Sequence, residues 1–256
     1  MIIIRTIYKF FNFWIQIAGS VLDYYRSVYR QDLSHDYMAK SKWLQKWCQR
    51  TLRAMNVHYT VEGTIPQHGM LASTHVSYVD VLIIGAVTPS VFVAKSQVRK
   101  WPIVGFVTNL AGTLYVSREH KGDVRRIVDE FKPYINAGIL AVVFPEGTST
   151  DSHTVRPFYS SLFEPAVQGN FPVTSAWVGY TVKPPFKSET HVCFWGDMGF
   201  APHLIRLLST TGVEAKLIFG QTIEHPTDRK QIANAMHQDA LNIAAQQGRI
   251  ATPANP

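Results

Sequence analysis

The chain has 256 residues, 46% of them hydrophobic, so one domain with a substantial core is expected and a disordered chain is excluded. Its two cysteines, Cys48 and Cys193, are too far apart for a redox pair or zinc knuckle and too few for a disulfide framework, so both are expected to be buried. The formal net charge of +7 favours an anionic partner, which could be a nucleic acid, a membrane surface or a phosphorylated substrate.

The first 25 residues predict an amphipathic helix. Their apolar residues recur at helical spacing, and most charged and amide side chains fall on the opposite side. A helix lying in a membrane interface fits this pattern best, because the apolar face is wider than a soluble helix usually shows. The side chains expected to contact lipid are Ile7, Phe10, Phe11, Trp14 and Ile17.

Three other interpretations of this helix stay open. A membrane span needs about 20 mostly apolar residues. Here Arg5, Lys9, Asn12 and Gln16 interrupt the run, although a shallow or tilted insertion remains compatible. Small residues at positions 18 to 20 suggest a cleaved signal peptide, which the amides within the apolar region oppose. The third interpretation is an ordinary helix packed on the core.

A second helix is predicted over residues 36 to 55. Its apolar residues lie on one side and its basic residues on another, with Trp43 and Trp47 beside the basic side. Basic side chains next to tryptophans suit an anionic lipid headgroup layer, and a solvated face on a surface helix is the alternative. Residues 1–56 are therefore expected to seat the protein on a membrane bilayer.

From residue 57 the sequence predicts an α/β domain extending to residue 250, followed by a frayed tail over residues 251–256. Short apolar runs alternate with helical patterns, which favours a mostly parallel central sheet flanked by helices. The expected strands are Val57 to Glu62, Met70 to Ser73, Val91 to Ala94, Thr113 to Val116, Ile139 to Phe144, Val173 to Val178, His191 to Trp195 and Ala215 to Phe219. The expected helices are Tyr78 to Ala86, Val104 to Asn109, Lys121 to Asn136, Phe158 to Gln168, Pro202 to Leu208 and Asp228 to Gln247.

His75 and Asp80 lie in the stretch THVSYVD, after an apolar strand and before a helical pattern. In one continuous helix, five positions would rotate the two side chains about 140° apart. If His75 precedes the helix and Asp80 lies in its first turn, the carboxylate can reach the imidazole, whose other nitrogen is then free to act as a general base. The alternative is a helix start without catalysis, where an acidic residue is favoured in any case.

Two further stretches carry polar residues at the ends of expected strands, where ligands of α/β sheets gather. In LAVVFPEGTST, Glu146 follows an apolar run, and Gly147 lets backbone amides approach a ligand closely. In GTLYVSR, Arg118 is suited to binding a phosphate or carboxylate. Each has an ordinary alternative, a polar turn for Glu146 and a surface charge for Arg118.

Together, the order HxxxxD, GxxxxxR and FPEGT resembles the lysophospholipid acyltransferase family, typified by 1-acylglycerol-3-phosphate acyltransferase. The resemblance runs from about residue 57 to residue 180 and includes NFPVTSAWVGY as a fourth motif. It implies the glycerol-3-phosphate acyltransferase-like fold and transfer of a fatty acyl group from acyl-CoA or acyl carrier protein (acyl-ACP) to a lysolipid hydroxyl in membrane lipid synthesis. The implied acceptor is 1-acylglycerol-3-phosphate or a related lysophospholipid, with lyso-ornithine lipid as the alternative. It also implies no metal, no resident cofactor, and a monotopic place at the cytoplasmic face of a membrane.

The resemblance implies a role for each motif. The histidine matching His75 deprotonates the acceptor hydroxyl, the aspartate matching Asp80 orients that histidine, and the alkoxide attacks the thioester without an acyl-enzyme. The residues implied to shape the acceptor site are Arg118, Glu146, Gly147 and Thr148. Further contacts with donor or acceptor are expected from Ser77, Lys95 and Ser149.

Departures from the family pattern bear on the acceptor. Thr74 stands where the family often has Asn, and Ser149 stands where many glycerophosphate enzymes carry an arginine, which weakens the case for a phosphate acceptor. The segment WGDMGFAPHLIRLL, at 195–208, is more similar to the bacterial lyso-ornithine-lipid acyltransferases. Within it, Asp197 and His203 are candidate acceptor contacts, with a helix cap and a core histidine as the alternatives.

Other function classes fit less well. The positive charge is concentrated beside apolar helices, and the sequence has no recognisable nucleic-acid module, so no nucleic-acid partner is expected. The GxSxG pattern of an α/β hydrolase and the Gly-rich nucleotide signatures are absent from the sequence. A non-catalytic lipid-binding protein remains the alternative from another class, and the presence of all the motif residues opposes it.

Overall fold

A computed structural model describes residues 2–116 and 123–249 of the chain and confirms the α/β fold with a mostly parallel sheet. Seven strands form one sheet in the order β1-β7-β6-β2-β5-β3-β4. Every neighbouring pair in it is parallel except β6 and β7. The strands are β1 (Val57–Glu62), β2 (Gly69–Ser73), β3 (Ser90–Lys95), β4 (Leu114–Val116), β5 (Leu140–Val143), β6 (Val173–Val182) and β7 (Val213–Ile223).

Helices cover both faces of this sheet. They are α1 (Ile2–Tyr24), α2 (Tyr37–Met55), α3 (Val79–Val87), α4 (Val104–Leu110), α5 (Asp123–Asn136), α6 (Glu164–Gly169), α7 (Ser188–His191), α8 (Phe200–Ser209) and α9 (Arg229–Gln246). One turn of π-helix, Tyr25–Tyr29, extends α1. Two short 3-10 turns, Ser96–Lys100 and Ser160–Phe163, precede α4 and α6.

The helices form two layers because successive strand residues point to opposite faces of the sheet. On one face, Phe13 of α1, Leu52 of α2, Ile83 of α3 and Leu204 of α8 share an apolar cluster with Leu71 of β2. On the other face, α5, α6 and α9 pack in a second cluster. The parallel strands β2, β3, β5 and β6 all end at one edge of the sheet, and loops from these strands meet there.

Helix capping explains why two boundaries were predictable. The Asp36 side chain accepts a hydrogen bond from the Ala39 backbone amide at 2.9 Å, and α2 begins at the next residue. Asp228 accepts from the amides of Lys230 and Gln231, and α9 begins beside it. A side-chain oxygen at this position satisfies amides that have no partner within the helix.

The prediction of a strand at His191 to Trp195 was wrong. Helix α7 occupies the start of that stretch, and the rest is irregular backbone. Val192 and Cys193 are fully buried, and the segment donates a backbone hydrogen bond to Val76. Its apolar residues therefore reflect packing beneath a neighbouring loop, which a short apolar run cannot distinguish from a strand.

The helix predicted from Phe158 to Gln168 is divided in the structure. A 3-10 turn leads into α6, and Pro165 occupies the first turn of that helix. Proline is tolerated there because its missing amide has no partner in a first turn. The helical period was therefore correct, but the start was predicted too early.

Helix α1 corrects the predicted lipid-contact face. Phe10, Trp14 and Ile17 pack against the main core cluster, so three of the five side chains expected to contact lipid face inward. Ile7 and Phe11 are exposed, as expected. The exposed apolar side chains of this helix are Ile2, Ile3, Ile4, Ile7, Tyr8, Phe11, Ile15 and Leu22. Both faces of α1 are therefore apolar, one toward the core and one toward the outside.

Two basic side chains fasten α1 to the end of α8. Arg5 donates to the Ser209 carbonyl at 2.7 Å and Lys9 to the Thr210 carbonyl at 3.0 Å. Burial, with the nearby charge of Arg5, lowers the pKa of Lys9 to about 8. Cations are favoured at a helix C-terminus because its last carbonyls are unpaired and the dipole is negative there.

The tryptophans of α2 also point inward, contrary to the headgroup interpretation. Trp43 and Trp47 are buried between α1 and α2, where Trp43 donates to the Ser20 carbonyl and Trp47 to the Asp23 carboxylate. Asp23 also pairs with Lys46 at 2.9 Å. These rings therefore join the first two helices. Among the described residues, none of the helices has the length and apolar character that crossing a bilayer requires.

We predict that two of the phenylalanines of α1, Phe13 and Phe11, differ in how much their truncation destabilises the protein. Phe13 is 7% exposed and Phe11 is 62% exposed. Phe13→Ala should lower the free energy of unfolding by about 3 kcal/mol or more, because it leaves a cavity in the core. Phe11→Ala should change it by less than about 0.5 kcal/mol. Guanidinium unfolding followed by circular dichroism measures both, and equal losses would contradict this orientation of α1.

Candidate active site

His75 and Asp80 lie together at the edge of the sheet where the parallel strands end. His75 follows β2, and Asp80 lies in the first turn of α3. The chain bends between them, so His75 Nδ1 lies 2.9 Å from Asp80 Oδ2. The imidazole is 21% exposed and the carboxylate is fully buried. The bend, rather than helical spacing, brings the two side chains into contact.

Four donors surround the Asp80 carboxylate. Oδ2 accepts from the backbone amides of Val76 and Ser77, at 2.8 and 2.9 Å, in addition to the imidazole. Oδ1 accepts from the Tyr180 hydroxyl at 2.6 Å. A buried carboxylate is costly unless hydrogen bonds replace its lost hydration, and this arrangement replaces it on both oxygens. The carboxylate therefore orders the turn as well as the imidazole.

The hydrogen bonds of Asp80 assign the histidine tautomer. A carboxylate that accepts from two amides and a hydroxyl is an acceptor for His75 as well, so the proton of the neutral ring belongs on Nδ1. Nε2 then carries a lone pair on the side of the ring away from Asp80. The pair has the geometry of a general base held by a carboxylate.

The FPEGT stretch encloses His75 from the other side. The Phe144 ring stacks on the imidazole, with centroids 4.1 Å apart. Glu146 Oε1 accepts from the His75 amide at 2.8 Å, and the Thr150 amide donates to the His75 carbonyl at 3.0 Å. The FPEGT motif therefore contacts the ring and the amide of His75, and Thr150, two residues beyond the motif, contacts its carbonyl.

Glu146 is a buried support rather than an open ligand contact. Its second oxygen accepts from the Arg156 amide at 2.9 Å, so the carboxylate joins two backbone segments. Burial raises the pKa of Glu146 to about 7, although the amides of Arg156 and His75 oppose that rise. Both oxygens are engaged by protein backbone, and the side chain is 2% exposed.

Two more contacts hold the turn in place. Thr74 donates through its amide to Ala176 and accepts at Oγ1 from the Val178 amide, which joins the turn to β6. Ser149 donates from its hydroxyl to the Phe194 carbonyl, and thereby holds the irregular segment that packs under the turn. Threonine at position 74 thus performs backbone pairing next to the base.

The remaining candidates lie at different depths. Ser77 is fully buried, and its Oγ accepts from the Val79 amide, so it belongs to the interior of the turn. Lys95 is exposed at the end of β3, on the same sheet edge as His75. Gly147 has φ +68°, a conformation that favours glycine, and Thr148 beside it is exposed. Arg118 lies outside the described residues.

Tyr180 is a contact that the sequence analysis did not single out. It lies near the end of β6, which runs parallel to β2, so its hydroxyl reaches the edge that carries His75. Burial raises its pKa well above the ordinary tyrosine value. A buried tyrosine hydroxyl needs a partner, and a tyrosine at the active end of a strand was the available signal.

The two additional acceptor candidates do not contact the pair. His203 is 1% exposed, and burial lowers its pKa to about 4. Its Nε2 donates to the Cys193 carbonyl, and its Nδ1 accepts from the Tyr78 hydroxyl. It is a core histidine at the base of α8. Asp197 lies in the loop before that helix, whose first residue is Phe200, and is not its N-cap. Within the described part of the chain, His, Cys, Asp and Glu do not group as metal ligands.

The sequence is similar to those of known acyltransferases. A family model described as Acyltransferase matches residues 56–179. One relative is a lyso-ornithine lipid O-acyltransferase of Rhizobium meliloti, which is 27% identical to this chain. The alignment covers 77% of this chain and 73% of the relative. A second relative is the protein of the same name from Brucella abortus, which is 31% identical to this chain. The alignment covers 65% of this chain and 67% of the relative.

The fold is also similar to a solved structure. The crystal structure of the 1-acyl-sn-glycerophosphate acyltransferase of Thermotoga maritima superposes with a TM-score of 0.71. The similarity covers 99% of this chain and 98% of that one, at 16% sequence identity. At this identity, the likeness establishes a shared fold that includes the N-terminal helices.

We predict that Glu146 makes stability depend on pH. Its pKa is about 7 in the folded protein against an ordinary 4.5. Between pH 4.5 and pH 7, the folded chain therefore holds a proton that the unfolded chain has lost. The stabilisation from that proton is complete below pH 4.5 and is lost as the pH rises through about 7. Glu146→Gln should therefore remove a negative slope of up to about 1.4 kcal/mol per pH unit.

Chemical unfolding between pH 4.5 and 7.5 in small steps measures that slope, on the order of 1 kcal/mol per unit if Glu146 dominates. The matched control is Glu164→Gln, which removes a carboxylate paired with Arg229 on the other layer. If the slope is the same in wild type and Glu146→Gln, the buried carboxyl does not titrate in this range.

Proposed function

Because the chain belongs to the acyltransferase family, we propose that it transfers a fatty acyl group from an acyl thioester to the hydroxyl of a lysolipid. The observation that carries this proposal is the His75–Asp80 contact at 2.9 Å, with Asp80 buried and the far nitrogen of the imidazole available. The donor we propose is acyl-CoA or acyl-ACP, because a thioester carbonyl is open to attack by an activated hydroxyl.

The reaction proceeds in one displacement on this geometry. His75 Nε2 takes the proton of the acceptor hydroxyl as its oxygen attacks the thioester carbonyl carbon. A new ester C–O bond forms, the C–S bond breaks, and the leaving thiolate receives the proton from His75. Asp80 accepts from Nδ1 throughout, so it stabilises the imidazolium that exists between the two transfers.

The surroundings of the two nearby serines support direct transfer. A covalent acyl-enzyme would need a nucleophile hydrogen-bonded to the base. Ser77 Oγ faces the Val79 amide, and Ser149 Oγ donates to the Phe194 carbonyl. Each hydroxyl is engaged in the backbone of its own loop, so the acceptor hydroxyl is the nucleophile that the base activates.

The acceptor we propose first is lyso-ornithine lipid, with 1-acylglycerol-3-phosphate or a related lysophospholipid as the alternative. The Rhizobium meliloti and Brucella abortus relatives carry the lyso-ornithine lipid name. Position 149, where many glycerophosphate enzymes have arginine, holds a serine that faces inward. This position therefore supplies no cation for a phosphate headgroup.

The exposed apolar side chains of α1, which we call its outer stripe, support a proposal for the location of the enzyme. They are Ile2, Ile3, Ile4, Ile7, Tyr8, Phe11, Ile15 and Leu22. We propose a monotopic protein whose residues 1–56 lie on the cytoplasmic face of a membrane and whose residues 57–250 carry the chemistry. Large apolar side chains that are exposed along one face of a helix favour an interfacial position. Phe11 and Ile15 would enter the lipid, while Phe10 and Trp14 hold the helix to the core.

His75→Ala tests the reaction. Loss of a general base should lower turnover by at least about a hundredfold. The assay follows thiol release from acyl-CoA or acyl-ACP in detergent, with lyso-ornithine lipid, lysophosphatidic acid and other lysophospholipids as acceptors. His58→Ala is the matched control, since that histidine is exposed on β1. Equal turnover in wild type and His75→Ala would sink the mechanism, and no turnover with any pair would favour a non-catalytic lipid-binding protein.

Tyr180→Phe tests the positioning of Asp80. Removing the Tyr180 hydroxyl leaves Oδ1 of the buried Asp80 carboxylate without its donor. An unsatisfied buried acceptor costs about 1 to 3 kcal/mol. We expect kcat to fall about tenfold or more while KM changes little, because the acceptor site keeps its shape.

The matched control for Tyr180→Phe is Thr174→Val, which removes a hydroxyl from the other end of the same strand. If both variants lose stability but only Tyr180→Phe loses kcat, the hydroxyl positions the carboxylate. A KM effect alone, or an equal loss of kcat in the control, would mean that Tyr180 has only a packing role.

A further inference from the structure

A second exposed apolar surface lies away from the outer stripe of α1. It is formed by the loop between β3 and α4 and by the first turn of α4, residues 99–106, which we call the wedge. Trp101, Ile103 and Phe106 are 39%, 47% and 48% exposed. Arg99 and Lys100 directly precede them and are exposed as well. Three large apolar side chains beside two cations are typical of an element that enters an anionic interface.

The wedge backbone is held rigidly. Ile103 has φ +63°, which is rare and costly for a β-branched residue. A Cβ at Gly105 would lie 2.2 Å from the Arg99 carbonyl oxygen, so the two ends of the wedge pack backbone to backbone. The Arg99 guanidinium lies 5.7 Å from the Tyr115 ring centroid. The structure thus presents these apolar side chains in a fixed geometry instead of folding them away.

Helix α4, which carries the end of the wedge, packs against the first two helices. Val107 and Leu110 of α4 pack on a cluster that includes Tyr24, Val28 and Trp43 from the first two helices. The π-helical turn that follows α1 also has exposed aromatic rings, those of Tyr25 and Tyr29. The wedge therefore adjoins the first two helices, which pack on the face of the sheet opposite α5, α6 and α9.

The wedge also borders the catalytic turn. The Trp101 ring lies 6.2 Å from the Phe200 ring, which in turn lies 5.1 Å from the Tyr78 ring. Tyr78 is part of the bend between His75 and Asp80. A surface that engages the wedge would therefore be placed beside the active site rather than at the remote end of α1.

We propose that the wedge is a second membrane-binding element, which inserts Trp101, Ile103 and Phe106 into an anionic bilayer while Arg99 and Lys100 pair with lipid phosphates. Two contacts, the outer stripe of α1 and the wedge, then fix the orientation of the enzyme and hold the catalytic turn at the lipid surface. The acceptor headgroup can reach His75 while its acyl chain stays in the bilayer.

A bilayer fits this surface better than an acidic protein. An acidic protein would be attracted by Arg99 and Lys100, but that attraction alone does not account for the exposed Ile103 and Phe106 side chains. A bilayer interface accepts both the cations and the apolar side chains. The net charge of +7 favours the anionic surface over a neutral one.

The test places a fluorescent reporter on the wedge. Both native cysteines are buried, and burial raises the pKa of each thiol to about 12, so an introduced surface thiol labels selectively. Phe106→Cys, labelled with nitrobenzoxadiazole, is mixed with vesicles of phosphatidylcholine with and without phosphatidylglycerol. Phe11→Cys reports on α1, and Lys230→Cys reports on the opposite layer, at the start of α9.

If the wedge inserts, the label at position 106 shifts to the blue and is quenched by spin-labelled lipids in anionic vesicles. The label at position 230 stays unchanged. Arg99→Gln and Lys100→Gln should each weaken partitioning into anionic vesicles by about fivefold, with little effect on neutral ones. If position 106 does not respond while position 11 does, the wedge is not a membrane contact. A response at 106 to acyl carrier protein without vesicles, and none to vesicles, would overturn the proposal in favour of protein docking.

This proposal rests on the membrane association proposed above but not on the chemistry, and the two can fail separately. Phe106→Ser should retain turnover with acceptor dissolved in detergent and lose severalfold with acceptor embedded in anionic vesicles. Absence of turnover in detergent, for wild type as well, would refute the acyl transfer while the fluorescence result still decides the wedge. If Phe106→Ser matches the turnover of the wild type both in detergent and in vesicles, the wedge proposal is refuted and the acyl-transfer proposal is not.

Discussion

The buried carboxylate of Asp80 is the constraint on which the rest of the site depends. A carboxylate removed from water must recover several kcal/mol of lost hydration through hydrogen bonds. It does so with two amides of its own turn, the imidazole of His75 and the Tyr180 hydroxyl. Each donor reaches the carboxylate only in one conformation of residues 75 to 80, so satisfying the charge also fixes the position of the His75 imidazole.

Satisfying that charge draws distant parts of the chain to one edge of the sheet. The strand β6 supplies Tyr180 and the amide that pairs with Thr74. The loop after β5 stacks Phe144 on the imidazole and places Glu146 against the His75 amide. The parallel arrangement of β2, β5 and β6 explains this convergence, because it brings their carboxyl ends together. The geometry around His75 and Asp80 therefore depends on the strand order of the sheet as well as on the local motif.

Sequence periodicity was informative wherever one physical requirement dominates. Alternating strand and helix patterns predicted the sheet, and the predicted starts of α2 and α9 coincide with the N-caps Asp36 and Asp228. It failed where two environments are equally apolar. Short apolar runs read as strands whether they pair in a sheet or, like Val192 and Cys193, pack beneath a loop. For the site, the pairing of His75 with Asp80 was foreseeable from the bend, whereas the Tyr180 contact depends on strand order.

Helix α1 shows the same ambiguity at its most consequential. Its inner face presents Phe13 to the core, and its outer face presents Phe11 and Ile15 to the exterior. Because both faces are apolar, the spacing of apolar residues does not predict which face is buried. What distinguishes the faces is polar: Arg5 and Lys9 bind the last carbonyls of α8 and set the rotation of the helix. Helix α8 begins at Phe200, whose ring lies near the Tyr78 ring and the Trp101 ring. One helix therefore connects α1 to the turn that carries His75 and Asp80 and to the wedge. A bilayer that binds this layer would therefore meet the reaction centre in a defined orientation.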